Sequence, residues 1–453
     1  MCKRSLASPL APLGLLGLLG LLGLAVAHEP FIVQFQWNAI NFTWPSPDGW
    51  IKATKDPDAY VDKNVVISSV KLWKDRMYLT LPRYRSGVPA TLAVTPATVQ
   101  NGSTAPLLEP YPSWDMQRVG DCSAFQTVQN MEIDPRGRMW VLDSGRVETM
   151  TLESKASCPP RLVILDLENG GAVLRSYAFP RDVINYDSGI LNDIVIDHEH
   201  GGMAYITDSD ERNPGLIVFS LNETASWKVY HESMNYVPDA VGFKIENINF
   251  PDKVNIDGIA LSPAYSEGDA RELYFTPLSS FNVFVVRTRA LLQVRDLPAE
   301  ERRREIGKHI KILGRKPSQT DGMVMSNTGK LYFGLLADDA VAMWDSKSNP
   351  SFVTGQRIIS RDHKLMQWPD NFAFDDRGQL WCITNRMHVY VNNSVDVSQP
   401  NYRAIMSKVG MRSYQYYADG TAPEWPDVDA GASAASGALV AALALLAGAL
   451  LAR

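Results

Sequence analysis

Six segments of the chain repeat one plan: an apolar run, a polar turn carrying Gly or Asp, then a strand that opens on an aromatic residue. They begin at Ser68 (SSVKLWKDRMYLTLPR), Gln129 (QNMEIDPRGRMWVLDSGR), Asn192 (NDIVIDHEHGGMAYITDSD), Asp257 (DGIALSPAYSEGDARELYFTPLS), Asp321 (DGMVMSNTGKLYFGLLADD) and Asp370 (DNFAFDDRGQLWCITNR). The aromatics in register are Tyr78, Trp140, Tyr205, Tyr274, Tyr332 and Trp381, roughly fifty to seventy residues apart. That spacing is too long for one hairpin and suits a four-stranded sheet with generous loops. Asp134 to Gly137, Asn327 to Gly329 and Asp376 to Gly378 supply the residues a tight turn needs. Between the hairpins lie runs rich in β-branched and aromatic residues: RLVILDL (161–167), GLIVFSL (215–221), NVFVVRT (282–288) and AVAMWD (340–345). These read as outer strands.

No such unit buries both of its faces alone, so the array must close on itself. The chain is therefore predicted to be all-β, a six-bladed β-propeller with four-stranded blades around a central channel. The alternately apolar stretch at 31–41 (FIVQFQWNAIN) is expected to complete the last blade and lock first to last. A tandem array of sandwiches would not place one aromatic at the same point of six similar units. Residues 298–311, which carry Arg302, Arg303 and Arg304 among glutamates, read as a solvated surface helix or insertion.

The two ends have their own composition. Lys3 and Arg4, an apolar stretch at 13–24, and Ala25 and Ala27 before His28 make residues 1–27 a signal peptide. The propeller is expected to occupy 28–425, and 426–453 to form a small-residue linker and apolar tail. Gly431 and its small neighbours precede an apolar run at 437–452, which reads as a glycosylphosphatidylinositol (GPI) attachment signal. A retained membrane tail and a low-complexity extension are the alternatives. An extracellular protein follows, secreted or held on the outer cell surface through a C-terminal lipid anchor. The net charge of −6 gives no reason to expect a nucleic-acid partner.

Once Cys2 leaves with the signal, Cys122, Cys158 and Cys382 remain, and an odd count implies one pair and one leftover thiol. Cys122 and Cys158 flank one predicted strand pair; Cys382 reads as a buried small hydrophobe. Sequons at Asn41, Asn101, Asn222 and Asn392 mark candidate glycosylation sites.

A polar residue stands just before the first apolar strand in five repeats: Asn130, Asn192 with Asp193, Asp257, Asp321, and Asp370 with Asn371. In a ring these positions converge at one mouth of the channel, where propellers commonly bind ligands. Acidic groups there could pair with the ammonium of an aromatic amine, with Phe125, Phe243, Phe281 and Phe372 as candidate ring partners. They could instead hold Ca²⁺, which takes several oxygen ligands. A purely structural role is the third reading, each side chain accepting backbone hydrogen bonds between blades. No cofactor or resident metal is otherwise expected. The one dense cluster of metal-ligand types, Asp197, His198, Glu199 and His200, precedes two glycines and fits an exposed hairpin turn. Hydrolase, zincin and P-loop motifs do not occur.

Several of these strings resemble the major royal jelly protein/Yellow family: Trp44 and Pro45, MYLTLPRYRSGVPATLA from Met77, DCSAFQTVQNMEIDPRGRMWVLDSGR from Asp121, CPPRLVILDL from Cys158, LGRKPSQTDGM from Leu313, and WPDNFAFDDRGQLWCITNR from Trp368. The resemblance spans residues 31–412. It implies a six-bladed propeller and a disulfide between Cys122 and Cys158. It also implies melanin pigmentation, cuticle formation, biogenic-amine binding or nutrition, and some members are dopachrome-converting enzymes. The expected function is binding or conversion of a catechol-derived small molecule; a non-catalytic amine-binding or structural matrix glycoprotein is the alternative. The channel carboxylates are the groups available as a base for such a conversion.

Overall fold

The computed structural model describes residues 30–56, 59–263 and 271–428. The stretch read as a signal peptide, 1–27, and residues 429–453 of the linker and apolar tail read at 426–453 lie outside them. Within the described residues, the repeats become six four-stranded antiparallel sheets, the blades of a six-bladed β-propeller. Their inner strands are Ser69–Trp73, Val128–Ile133, Leu191–Asp197, Ile256–Leu261, Met323–Met325 and Pro369–Phe374, in blades 1 to 6. Each inner strand packs against those of both neighbouring blades, so the six enclose a channel. We call the end where these strands begin the upper mouth.

The ring closes as expected. Ile32–Trp37 pairs antiparallel with Tyr402–Lys408 and becomes the outermost strand of blade 6. Phe35 and Trp37 on this strand are buried with Trp381, Ile383 and Ala404 of the same blade.

All six repeat aromatics lie on second strands and are at most 2% exposed. Two show why Asp, Gly and Trp recur together. The Trp140 indole N–H donates to Asp134 at 3.1 Å, and that of Trp381 to Asp375 at 3.0 Å. Each of these aspartates also accepts backbone N–H groups of its own hairpin turn, so one carboxylate ties the turn to the strand that follows.

The runs read as outer strands are third strands. The fourth strands of blades 2 to 5, Ala172–Ala178, Ala225–Val229, Lys311–Arg315 and Arg357–Arg361, are partly exposed and lack clean alternation, which hid them in the sequence. The charged stretch forms a partly exposed helix, Ala299–Gly307, anchored by buried Ile306. Two further short helices are Pro47–Lys55 and Met387–Val391. Cys122 and Cys158 are bonded, joining the linker between blades 1 and 2 to the loop between the second and third strands of blade 2. Cys382 is free and buried. Asn101 and Asn222 stand exposed, and Asn41 is half-buried. Asn392, also exposed, donates through Nδ2 to the His388 carbonyl at 2.7 Å.

The turn at 197–200 departs from expectation. It is a turn, but Asp197 is fully buried and accepts from Arg271 Nη1 at 2.8 Å. The cause is the chain beyond blade 6, which crosses the lower face and covers it. Tyr414 accepts from Ile196 N at 2.9 Å and donates its own N–H to Met325 O at 3.0 Å. Arg271 also donates to the Tyr414 carbonyl, and Gln415 donates to Ile133 O at 2.9 Å. The strap then packs Trp425 and Val428 against blades 2 and 3, so residues 426–428, expected as linker, are part of the packed body.

Replacing Phe35 with Ala should cost about 3–5 kcal/mol of stability, because it empties a buried site on the closing strand. A lower denaturant midpoint is the expected readout. An unchanged midpoint would mean that this strand is not part of the cooperative unit.

Candidate functional site

The site begins with a local irregularity. Side chains alternate across a regular strand, so two consecutive residues cannot both face the channel. In blades 2, 3, 4 and 6 the pairing of first and second strands slips at its upper end, between Val128 and Met131, Leu191 and Ile194, Ile256 and Ile259, and Pro369 and Asn371. Such a bulge re-aims side chains. The result is two stacked tiers at the top of the channel. The upper tier is Ser68, Gln129, Asn192, Asp257, Asp321 and Asp370; the lower is Ser69, Asn130, Asp193, Gly258, Gly322 and Asn371. All seven residues expected at the mouth line one void of about 10 Å³ between the tiers, which leaves room for little more than a water molecule.

The lower tier is a belt. Ser69 Oγ lies 2.7 Å from Asn130 Oδ1 and 3.1 Å from Asn371 Oδ1. Asn130 Nδ2 donates to Asp193 Oδ1 at 2.8 Å, and Asp193 Oδ2 accepts from Ile259 N at 3.4 Å. Blades 6, 1, 2, 3 and 4 are thereby stitched in sequence. On the other side the backbones themselves close up: a Cβ on Gly258 would meet Asp321 O at 2.1 Å, and one on Gly322 would meet Asp370 O at 2.1 Å. Glycine at these two positions lets three blades approach at the throat. Asn130, Asp193 and Asn371 thus spend their polar groups on neighbouring blades.

The upper tier faces a larger space. Asn192, Asp257, Asp321 and Asp370 form part of the floor of a cavity of about 460 Å³ that opens at the upper mouth. Gln129 joins them, its Nε2 donating to Tyr84 Oη at 2.6 Å and to Asn192 Oδ1 at 3.2 Å. Tyr84, Phe250 and Trp368 supply aromatic wall, and Met150, Leu278 and Met387 aliphatic wall. Trp368 holds φ at +57°, an unfavourable conformation for so bulky a residue. It is fixed there by stacking on Phe243 and an edge contact with Phe250, and its indole N–H donates to Asp321 Oδ2 at 2.6 Å.

Burial dominates the electrostatics. Asp257 and Asp321 hydrogen-bond to each other, a contact that two carboxyls make only when one of them is protonated. Burial pushes Asp321 up to about 6, against the pull of the Asp257 and Trp368 hydrogen bonds. Burial and the charge of Asp321 push Asp257 well above the carboxylate range, and Asp370 likewise, although Asn385 Nδ2 donates to the latter at 2.5 Å. Burial raises Asp193 to about 7, with Lys71 opposing. Behind Asp257, burial lowers Lys316 to about 7; its ammonium donates to Ser280 O at 2.6 Å.

Of the aromatics singled out by position, Phe243 alone reaches this neighbourhood, one layer behind Trp368. Phe125 lies in the core under Arg161, Phe281 lies under Arg315, and Phe372 is buried in the core shared by blades 5 and 6. Phe372 follows Asn371 on a regular strand, and alternation turns it away from the channel. Tyr84, Gln129, Phe250 and Trp368 were missed. Trp368 stands two residues before Asp370, and Gln129 one before Asn130, so alignment of the repeats at the bulge would have found both. Among the described residues no group of three or more His, Cys, Asp or Glu is arranged to hold a metal ion.

A family model described as "Major royal jelly protein" matches residues 126–413. "Protein yellow" of Drosophila erecta is 32% identical over 378 residues, which cover 82% of this chain and 67% of that protein. The Drosophila melanogaster protein of the same name matches to the same extent, 32% over 378 residues. A solved structure described as a luciferin-regenerating enzyme aligns over 81% of this chain and 97% of its own, at 11% identity and a TM-score of 0.44.

Carboxyls whose folded-state pKa is raised favour the folded state below the unfolded pKa near 4, and that contribution is lost as pH rises toward the folded value. Asp257→Asn keeps a hydrogen-bond donor toward Asp321 but cannot ionise. Its melting temperature should match the native protein near pH 4 and exceed it near pH 7.5. Equal melting temperatures at both pH values would contradict the electrostatic account.

Proposed function

The chain belongs to the major royal jelly protein/Yellow family, and from that premise we propose that it acts outside the cell in melanin or cuticle chemistry, binding a catechol-derived amine in the upper cavity and converting dopachrome-type substrates there. One observation carries this reading. Five carboxyl-bearing residues, Glu211, Asp252, Asp257, Asp321 and Asp370, line the cavity against a single lysine, Lys253, whose ammonium lies over the Tyr236 ring at 5.6 Å. Among the described residues that line the pocket, Lys253 is the one basic side chain, and Lys316 lies behind Asp257 outside the lining. An organic ammonium supplies positive charge to the floor, and the aromatic wall suits its ring. The volume falls within the range of small-molecule sites.

The same groups support proton transfer. Converting dopachrome removes a proton from a carbon beside a ring carbonyl, which requires a base that titrates near neutrality and a donor toward the oxygen that gains charge. Asp321 is raised toward that range, and burial together with the charge of Asp321 pushes Asp257 higher, toward the protonated form a donor needs. Amine binding without turnover is the second reading, favoured because no histidine is among the residues lining the cavity. Extracellular placement accords with the disulfide. Among the described residues no helix is long and apolar enough to cross a membrane.

Calorimetry against dopamine should show one saturable site, with protons released on binding and affinity rising from pH 5.5 to 7.5 as the floor carboxyls ionise. Asp321→Asn should weaken binding by about tenfold or more. Loss of dopachrome absorbance with the native protein, but not with Asp321→Asn or Asp257→Asn, would establish conversion. Binding without that loss assigns the second reading, a heat signal with Ca²⁺ instead of dopamine favours a metal site, and absence of all three defeats the proposal.

A further inference from the structure

Two residues below the belt, alternation brings a third tier to the channel: Lys71, Glu132, Val195, Ala260, Val324 and Ala373. Four blades present small apolar groups there, whereas blades 1 and 2 present a buried pair of opposite charge. Lys71 Nζ lies 3.3 Å from Glu132 Oε2 and 3.3 Å from Phe372 O, two long contacts for an ammonium with three protons. Glu132 Oε1 accepts from Ile133 N, next to it in the chain. The C-terminal strap fills the lower mouth on the side of blades 3, 4 and 5 through Tyr414. Beside it remains a cavity of about 320 Å³ that has Lys71 and Glu132 in its lining, with Trp73, Phe374 and Tyr416 as aromatic surface. Gln415 also lines this cavity; it is 2% exposed, and among the described residues its Oε1 has no hydrogen-bond partner. A buried acceptor left unpaired costs free energy that a donor on a bound molecule would recover.

A plain anion here would meet Glu132, and a plain cation would meet Lys71. A molecule that carries both signs side by side matches both groups at once. We propose that the lower cavity binds a free α-amino acid with an aromatic side chain. Its carboxylate lies on Lys71, its ammonium on Glu132 and Gln415 Oε1, and its ring against Trp73 and Tyr416. This site is separate from the upper cavity, since the void between the tiers measures about 10 Å³, and it stands whether or not the upper cavity binds amines.

The test is titration of the full protein with L-phenylalanine, followed by calorimetry and tryptophan fluorescence, in both the native chain and Asp321→Asn, in which the upper cavity is weakened. Saturable one-to-one binding is expected in both. In Asp321→Asn, phenethylamine and 3-phenylpropionate, each carrying half of the charge pattern, should bind about tenfold more weakly or worse. Lys71→Met with Glu132→Leu, an exchange that buried ion pairs often tolerate, should abolish the signal. If that protein does not fold, Gln415→Leu and Trp73→Ala decide, each with an expected loss of about fivefold or more. No saturation, equal binding of either half-ligand in Asp321→Asn, or binding indifferent to the cavity variants overturns the proposal.

Discussion

A four-stranded sheet has two faces to shield from water and, in a ring, one neighbour on each side to do it. Every blade therefore depends on the next, and the last must find the first. That closure falls to six residues near the start of the described chain, Ile32–Trp37, which pair with Tyr402–Lys408. A strand from one end of the sequence thus completes a sheet built by the other. Breaking that seam would leave an open edge on blade 6 and bare the apolar faces that blades 1 and 6 turn toward each other. The repeated Trp and Asp pairs act within blades, holding hairpins in shape; the closing strand acts between the chain's two ends.

At the throat, one slip in strand register separates two jobs. The lower tier spends its polarity on neighbouring blades, through Ser69, Asn130, Asp193 and Asn371. The upper tier turns its carboxyls toward solvent-sized space. Burial disfavours ionisation of Asp257, Asp321 and Asp370, and the charge of Asp321 adds to it at the other two, so the fold gives up stability at neutral pH to hold a floor hungry for positive charge. Trp368 repeats the pattern on a smaller scale, its unfavourable backbone angle held by contacts that also shape the cavity.

Much of this could be read from the sequence. Blade number, the second-strand aromatics and the N-terminal closing strand follow from periodicity, because each rests on residues close together in the chain or on a motif repeated six times. The seven polar residues named before inner strands do gather at one place. Their division into belt and floor could not be read, because a bulge depends on pairing with the next strand and leaves little trace in composition. Asn130 looks equivalent to Asn192 in the sequence, yet it stands level with Asp193. The cavity walls were hidden for a related reason. Tyr84, Phe250 and Trp368 come from loops of three different blades, where no period applies. The strap was invisible because Tyr414, Gln415 and Trp425 sit in a stretch without repeat or alternation, whose partners lie one to three hundred residues away.

The strap also changes what kind of container the propeller is. With Tyr414 seated beneath the channel and little more than a water's width at the throat, the molecule is a pair of cups set base to base rather than a pipe. Nothing the size of a metabolite can pass from one face to the other. A solute entering either cup must leave by the door it came through. Occupancy of one cup neither drains nor blocks the other.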